Sequence, residues 1–214
     1  MLLKGRHESK FRLEGKVIFF ATNNIHKFHE ARKVLSEYKI ATGMLRVKSL
    51  EIQSDSLEEI AKASVIDAFR KCNLPIIVED AGLFVEALNG FPGPYAAYVY
   101  KTIGNKGLLQ VMKNVENRKA KFESAVTYCS VQLDSLMCFK GEAHGEITKE
   151  ERNGGGESGF GFDPVFQPEN SGKTFAEMTV AEKNGYSHRA NALRKFSEWY
   201  KELNVKNTVN KKKE

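Results

Sequence analysis

Apolar residues fall in short blocks along the first half of the chain. Lys16-Val-Ile-Phe-Phe-Ala21 is a compact apolar run and predicts a buried strand. Thr22-Asn23-Asn24 then offers side chains that cap a helix, and Phe28, Ala31, Val34 and Leu35 recur at helical spacing. Strand, polar turn and helix together open a βα unit, a common place to bind phosphate. Ser56 to Glu59 reads S-x-x-E, a capping box, and predicts a helix to about Cys72. Pro75-Ile-Ile-Val-Glu79 predicts the next buried strand, ending in the two acids Glu79 and Asp80.

The second half changes period. Asn89 to Tyr95, NGFPGPY, is too rich in Gly and Pro for regular structure and predicts a rigid loop. Two helical stretches follow, before and after Gly104. Ala120 to Leu133 alternates as a long strand, and Leu136 to Ile147 answers it across a short turn as a hairpin. A polar loop over 149–159 leads into Phe160-Gly-Phe-Asp-Pro164. Thr179 to Glu182 is a second capping box. From Ser187, the positions Leu193, Phe196, Trp199, Tyr200 and Leu203 predict a terminal amphipathic helix. The class is α/β. No repeat and no lysine-rich linker occurs, so two lobes, if present, pack as one unit.

Composition narrows this picture. The 214 residues are 41% hydrophobic and 28% charged, enough for one sizeable domain or two small lobes with a real core. The densest apolar run, Val17 to Ala21, is far too short for a membrane helix. Met1 to Gly15 has no apolar stretch to act as a secretory signal. Cys72, Cys129 and Cys138 form no CxxC, which argues against a disulfide framework or a zinc site and for a reducing cytoplasm. The formal charge of +6 suggests a polyanion partner, but its location argues otherwise. Residues 1–16 and 201–214 each carry a surplus of three, and 17–200 balance 23 bases against 23 acids. Duplex binders usually show a basic face on the folded body, so no stable nucleic-acid complex is expected.

The candidate chemistry lies in local clusters. Gly154-x-Gly156-x-x-Gly159 matches the dinucleotide fingerprint in letters only, because it lies outside any strand–helix junction. Thr22, Asn23, Asn24 and Lys27 put hydroxyl, amides and an ammonium at one helix start, which suits a phosphate chain or a plain cap with a solvated lysine. Glu79 and Asp80, at a strand end, could hold Mg²⁺, deprotonate a water, or simply cap a loop. Glu51 is a lone acid. Phe160, Gly161, Phe162 and Asp163 combine aromatic faces with an acceptor, as a base site or a loop anchor would. Lys183, Ser187, His188 and Arg189 gather donors at the start of the last helix.

At these residues the chain closely resembles the non-canonical purine nucleoside triphosphate pyrophosphatases, the inosine/xanthosine triphosphatase family, in its archaeal branch. Phe20-Ala-Thr-Asn-Asn-x-x-Lys27, Val78 through Tyr95, Gly159 through Phe166, and Lys173 through Arg189 carry the likeness, in the family's order, over about 16–200. The resemblance implies an elongated two-lobed fold, with a mixed twisted central sheet flanked by helices and a cleft between the lobes. It divides the chain into an extension over 1–15, one domain over 16–205 and a basic tail over 206–214. It implies a homodimer that uses Mg²⁺ to hydrolyse ITP, dITP and XTP to the monophosphate and pyrophosphate. Thr22, Asn23, Asn24 and Lys27 match the triphosphate turn. Asp80, with Ala81 beside it, matches the general base and metal contact, and Glu51 the second metal acid. Phe160, Gly161, Phe162 and Asp163 match the base-contacting segment, and Lys183, Ser187, His188 and Arg189 the residues that close on base and phosphate.

Two positions depart from the family pattern. Relatives often carry a lysine where this chain has Ser64, and that role is assigned to neither Ser64 nor Lys62. Asn23 stands where glycine is commoner, and Asn keeps the turn accessible. Two other readings stay open from sequence: a pyrophosphatase with altered base choice, such as dUTP, and a nucleotide or single-strand binder without hydrolysis.

Overall fold

A computed structural model describes residues 17–131, 133, 135–154 and 159–210. The predicted extension over 1–15 and Gly156 of the fingerprint lie outside them. Among the described residues seven strands form one mixed sheet. β1 (Ile18–Ala21) lies parallel between β2 (Thr42–Leu45) and β3 (Ile76–Val85). Antiparallel pairing then continues through β5 (Lys119–Cys129), β6 (Met137–Ile147) and β7 (Phe166–Pro168), while β4 (Pro92–Gly93) pairs with the far end of β3. Among the described residues six α-helices accompany the sheet: α1 (Ile25–Glu37), α2 (Leu57–Cys72), α3 (Ala96–Thr102), α4 (Gly104–Val111), α5 (Val180–Tyr186) and α6 (His188–Asn210).

Alternation along β3 divides the first lobe. Ile77 faces a core built with Phe28, Ala31, Val34 and Leu35 of α1 and Leu193, Phe196 and Tyr200 of α6. Its neighbours Ile76 and Val78 face the opposite side, against Val65 and Ala68 of α2. Successive side chains of a strand point to opposite faces, so one apolar run serves two helical layers. Beyond Gly82 the same strands enter a second core, where Leu83, Val85 and Phe122 meet Val99, Leu108, Phe162, Phe166 and Phe175. A strand of ten residues, β3, spans about 33 Å and so reaches both lobes.

Several elements differ from expectation. β3 does not stop at Glu79 but runs on to Val85, so both acids sit inside a strand. The reason is asymmetric pairing. β1 pairs with β3 only at Ile76 and Ile77, whereas β5 pairs along its full length, from Ile76 to Val85. The sheet therefore loses one neighbour just before the acids, and a cleft opens there. The NGFPGPY loop contains β4, which folds back on β3. A Cβ on Gly82 would lie 2.6 Å from the Gly93 carbonyl oxygen, so this approach requires glycine. β5 ends at Cys129, short of Leu133, and α6 runs to Asn210, into the stretch assigned to a tail.

Candidate active site

The turn after β1 is built from its own side chains. Thr22 Oγ1 accepts from the Asn24 amide at 3.1 Å. Asn24 Oδ1 accepts from the amides of His26 and Lys27 at 2.9 and 3.1 Å. The cap thus takes up two of the helix-start amides that the sequence offered to phosphate. Asn23 is exposed, Thr22 and Lys27 are half-buried, and all line a cleft of about 550 Å³ that also receives Glu51, Asp80 and Lys101. Larger open hollows of about 950 and 860 Å³ surround Arg118, away from these groups. Arg118 is spent there on the carbonyls of Met112, Ile147 and Thr148.

Glu79 and Asp80 are adjacent but face different surroundings. Burial pushes Glu79 up, yet the Arg189 and Lys27 cations overcome it and hold its carboxyl well below the usual carboxylate range. It accepts from Ser124 Oγ at 2.9 Å and faces Lys27 Nζ at 2.8 Å and Arg189 Nε at 3.1 Å. Asp80 lies on the opposite face of the strand. Burial raises its carboxyl to about 6, against the pull of Lys27 and with added repulsion from Glu79 and Glu51. Ala81, half-buried, follows it.

Glu51 is exposed on the irregular segment between β2 and α2. α2 holds that segment in place: Ser64 Oγ donates to the Leu50 carbonyl at 2.8 Å, and Asp67 accepts from the Leu50 amide at 2.8 Å. Ser64 is therefore a fastener of the loop, while Lys62 is paired with Glu58 at 2.6 Å. Among the described residues no three His, Cys, Asp or Glu side chains gather to cage a metal. Two carboxylates at the cleft, Glu51 and Asp80, close enough for mutual repulsion, still fit a hard divalent ion. Such an ion keeps waters and takes its other ligands from substrate oxygens.

Behind the cleft runs a buried chain of charge. Lys27 faces Glu79, Glu79 faces Arg189, and Arg189 Nη1 binds Glu30 Oε2. Glu30 Oε1 accepts from Lys183 Nζ at 2.7 Å, and Lys183 donates to Asp163 Oδ2 at 2.6 Å. Asp163 Oδ2 finally accepts from the Phe160 amide at 3.0 Å. Three cations balance three anions. Burial pushes Glu30 up, but Arg189 and Lys183 hold it below its ordinary value. Burial wins at Asp163, which is raised despite Lys183. Arg189 is raised: burial opposes its charge, and Glu79 and Glu30 more than restore it. The sequence offered Lys183 and Arg189 as free donors; the structure commits both to internal acids. Glu30 carries none of the motifs, and its only signal is an acid one turn before Val34 on an otherwise apolar helix face.

The aromatic segment splits in two. The Phe160 ring is half-buried and stacks on His26 of α1, centroids 5.4 Å apart and planes at 19°. Lys183 Nζ stands 4.5 Å from its centroid. Phe162 instead enters the second core, edge-on to Tyr100 at 5.6 Å. Gly161 between them has φ of +61°, a backbone that glycine adopts without cost. His188 stacks on Phe122 at 4.7 Å, and burial with Arg189 nearby drives its imidazole well below 6.5, so the ring is neutral. Its Nδ1 is buried without a partner. Ser187 is buried, and its Oγ accepts from the Ala190 amide at 3.2 Å as the cap of α6.

The model of the Ham1 family matches residues 18–199. A dITP/XTP pyrophosphatase of Methanopyrus kandleri is 50% identical over 184 residues, 86% of this chain and 96% of that protein. One of Hyperthermus butylicus is 46% identical over 190 residues, 89% of this chain and 97% of that protein. Among solved structures, a HAM1 protein from Coxiella burnetii superposes with a TM-score of 0.75 at 26% identity, covering 87% of this chain and 99% of its own.

Proposed function

The chain belongs to the Ham1 family, and from that premise we propose how its cleft works. It is a pyrophosphohydrolase of non-canonical purine nucleoside triphosphates, dITP, ITP and XTP, releasing the monophosphate and pyrophosphate. The observation that carries the residue assignment is the contrast between two neighbours: Glu79 locked as an anion among cations, and Asp80 raised to about 6 on the cleft side.

In this reading Asp80 is the general base. A carboxyl near 6 is largely ionised at neutral pH, yet accepts a proton from water more readily than an ordinary aspartate. It orients that water toward the α-phosphorus. Lys27 turns from Glu79 to the phosphate chain, and Glu79 keeps Arg189 and Ser124 as partners. Thr22, Asn23 and Asn24 hold the turn that receives the phosphates. Glu51 and Asp80 would hold Mg²⁺, which when bound supplies charge neutralisation for the developing oxyanions.

The base rests on Phe160, with His26 moving off its face. Lys183 and Asp163 fix the loop that carries the ring. Selection falls on position 6, where hypoxanthine and xanthine present an oxygen and adenine an amine. A buried donor left unpaired opposite adenine discriminates strongly. The buried neutral His188, with one ring nitrogen unpartnered, is the group assigned to that contact, while Arg189 stays bound to Glu30 and Glu79.

A homodimer fits the exposed face of α3 and its neighbours, where Phe91, Tyr95, Tyr98, Ile103 and Val111 are solvent-exposed. The cytoplasm, with its nucleotide pool, is the compartment this activity serves; no helix among the described residues is long and apolar enough to cross a membrane.

The test is pyrophosphate release with Mg²⁺ across dITP, ITP, XTP, GTP, ATP and dUTP, in the native chain and in Asp80→Asn. Release confined to the 6-oxo purines and lost in the variant supports the assignment. Equal rates on all six, or full activity without Asp80, would overturn it.

A further inference from the structure

Almost every cation near the cleft already has an acid. Lys27 faces Glu79, Lys183 faces Glu30 and Asp163, and Arg189 faces Glu30 and Glu79. Lys183 and Arg189 are in addition fully buried. α2 contributes none, because Lys62 is held by Glu58 and Ser64 by the Leu50 carbonyl. The acids Glu51 and Asp80 meanwhile line the cleft. A triphosphate entering it meets more fixed negative charge than free positive charge.

Lys101 is the exception. It is exposed in the last turn of α3, lines the same cleft as Thr22, Asn24 and Lys27, and has no acid within ion-pair distance among the described residues. Its position is anchored by the residues before it. Val99 is buried in the second core, and the Tyr100 ring meets Phe162 edge-on at 5.6 Å. Lys101 therefore belongs to the second lobe, while Lys27, on α1, belongs to the first. An anion spanning the cleft would neutralise both and draw the lobes together. A terminal phosphate group carries the most charge and gains most from an unpaired ammonium.

We propose that Lys101 is a substrate-binding residue, contributed by the second lobe, that takes the β,γ-pyrophosphate portion of the nucleotide across the cleft from Lys27. This rests on the reading of the cleft as a triphosphate site. A charge-assisted contact of this kind corresponds to about a tenfold change in affinity.

The experiment compares the native full-length chain with Lys101→Gln and Lys101→Arg. Steady-state rates on dITP with Mg²⁺ are paired with calorimetric binding of inorganic pyrophosphate and of dIMP, and with thermal melting. Lys101→Gln is expected to raise KM for dITP and weaken pyrophosphate by about tenfold. Binding of dIMP and the melting temperature should stay at native values, and Lys101→Arg should restore pyrophosphate binding. Native pyrophosphate affinity in Lys101→Gln, or equal weakening of dIMP and pyrophosphate, would overturn the proposal. If the native chain bound pyrophosphate but did not hydrolyse dITP, the pyrophosphatase reading would fail while the Lys101 comparison still decided its own question.

Discussion

Nζ of Lys27 lies 2.8 Å from Oε2 of Glu79, the residue directly before the proposed base. The turn after β1 and strand β3 are thus joined by an ion pair whose carboxylate is almost wholly buried. One strand position sets the scaffold of charge, and the next faces the cleft. The two carboxyls are driven apart by their surroundings, one downward and one to about 6.

Glu79→Gln should leave Lys27 and Arg189 short of an anion in a dry site. Removing one partner of a buried pair costs about 3 to 5 kcal/mol, so a large fall in the urea midpoint is expected near neutral pH. The pH dependence follows from the direction of the shift. Because the folded carboxyl lies below its ordinary value of 4.5, its contribution is complete above that pH and is lost as pH falls below it. Unfolding midpoints taken from neutral pH down to about pH 3 should therefore drop less steeply in the variant. A parallel fall in both proteins would refute the role given to Glu79.

Asp80→Asn should separate activity from stability. The ordinary value of 3.8 is raised to about 6, so ionisation is disfavoured in the folded chain. Stability is fullest below about pH 4 and declines as pH rises through 6. A shift of about two pH units corresponds to about 3 kcal/mol. In metal-free buffer near neutral pH the variant should melt higher than the native protein, and in the activity assay with Mg²⁺ it should release no pyrophosphate. An unchanged melting temperature would mean that the carboxyl is solvated and unstrained.

Phe160 and Phe162 are two residues apart and should respond oppositely. Phe160→Ala removes a stacking surface worth about 1 to 3 kcal/mol, so KM for dITP should rise about fivefold or more with a nearly native melt. Phe162→Ala empties part of the second core and should cost about 3 to 5 kcal/mol of stability. Melting curves and KM values on both variants read the difference. If Phe160→Ala unfolded the protein and left KM intact, the platform assignment would fall.

Ser64 lines the cleft beside Glu51, and Ser64→Ala should loosen the segment that carries Glu51 while leaving the other cleft groups in place. The Mg²⁺ concentration for half-maximal activity is expected to rise several-fold, with KM for dITP at saturating metal little changed. A native Mg²⁺ dependence would show that Glu51 needs no support from α2.

Local pattern determined much of the scaffold. The apolar run before Thr22, the capping box at Ser56, which starts α2, and the alternation through β5 and β6 specify elements that need only near neighbours to form. The turn after β1 is legible for the same reason, since Thr22 and Asn24 satisfy backbone groups two or three residues away. Motif order carried the family.

Contacts across long stretches of chain decided the rest. That Glu79 and Asp80 sit mid-strand follows from where β1 stops and β5 continues, a property of partners and not of the local residues. Lys183 meets Glu30 from 153 positions away, and Arg189 meets it from 159. A charged residue reads alike whether solvated or buried, and only its distant partner determines which free energy applies. Thus Glu30 escaped notice, and Lys183 and Arg189 looked free when they were neutralised. Sequence alone carried the family and the reaction class, because motif order is local; tertiary structure decided which of the candidate residues are held within the protein and which face the cleft, because that depends on distant partners.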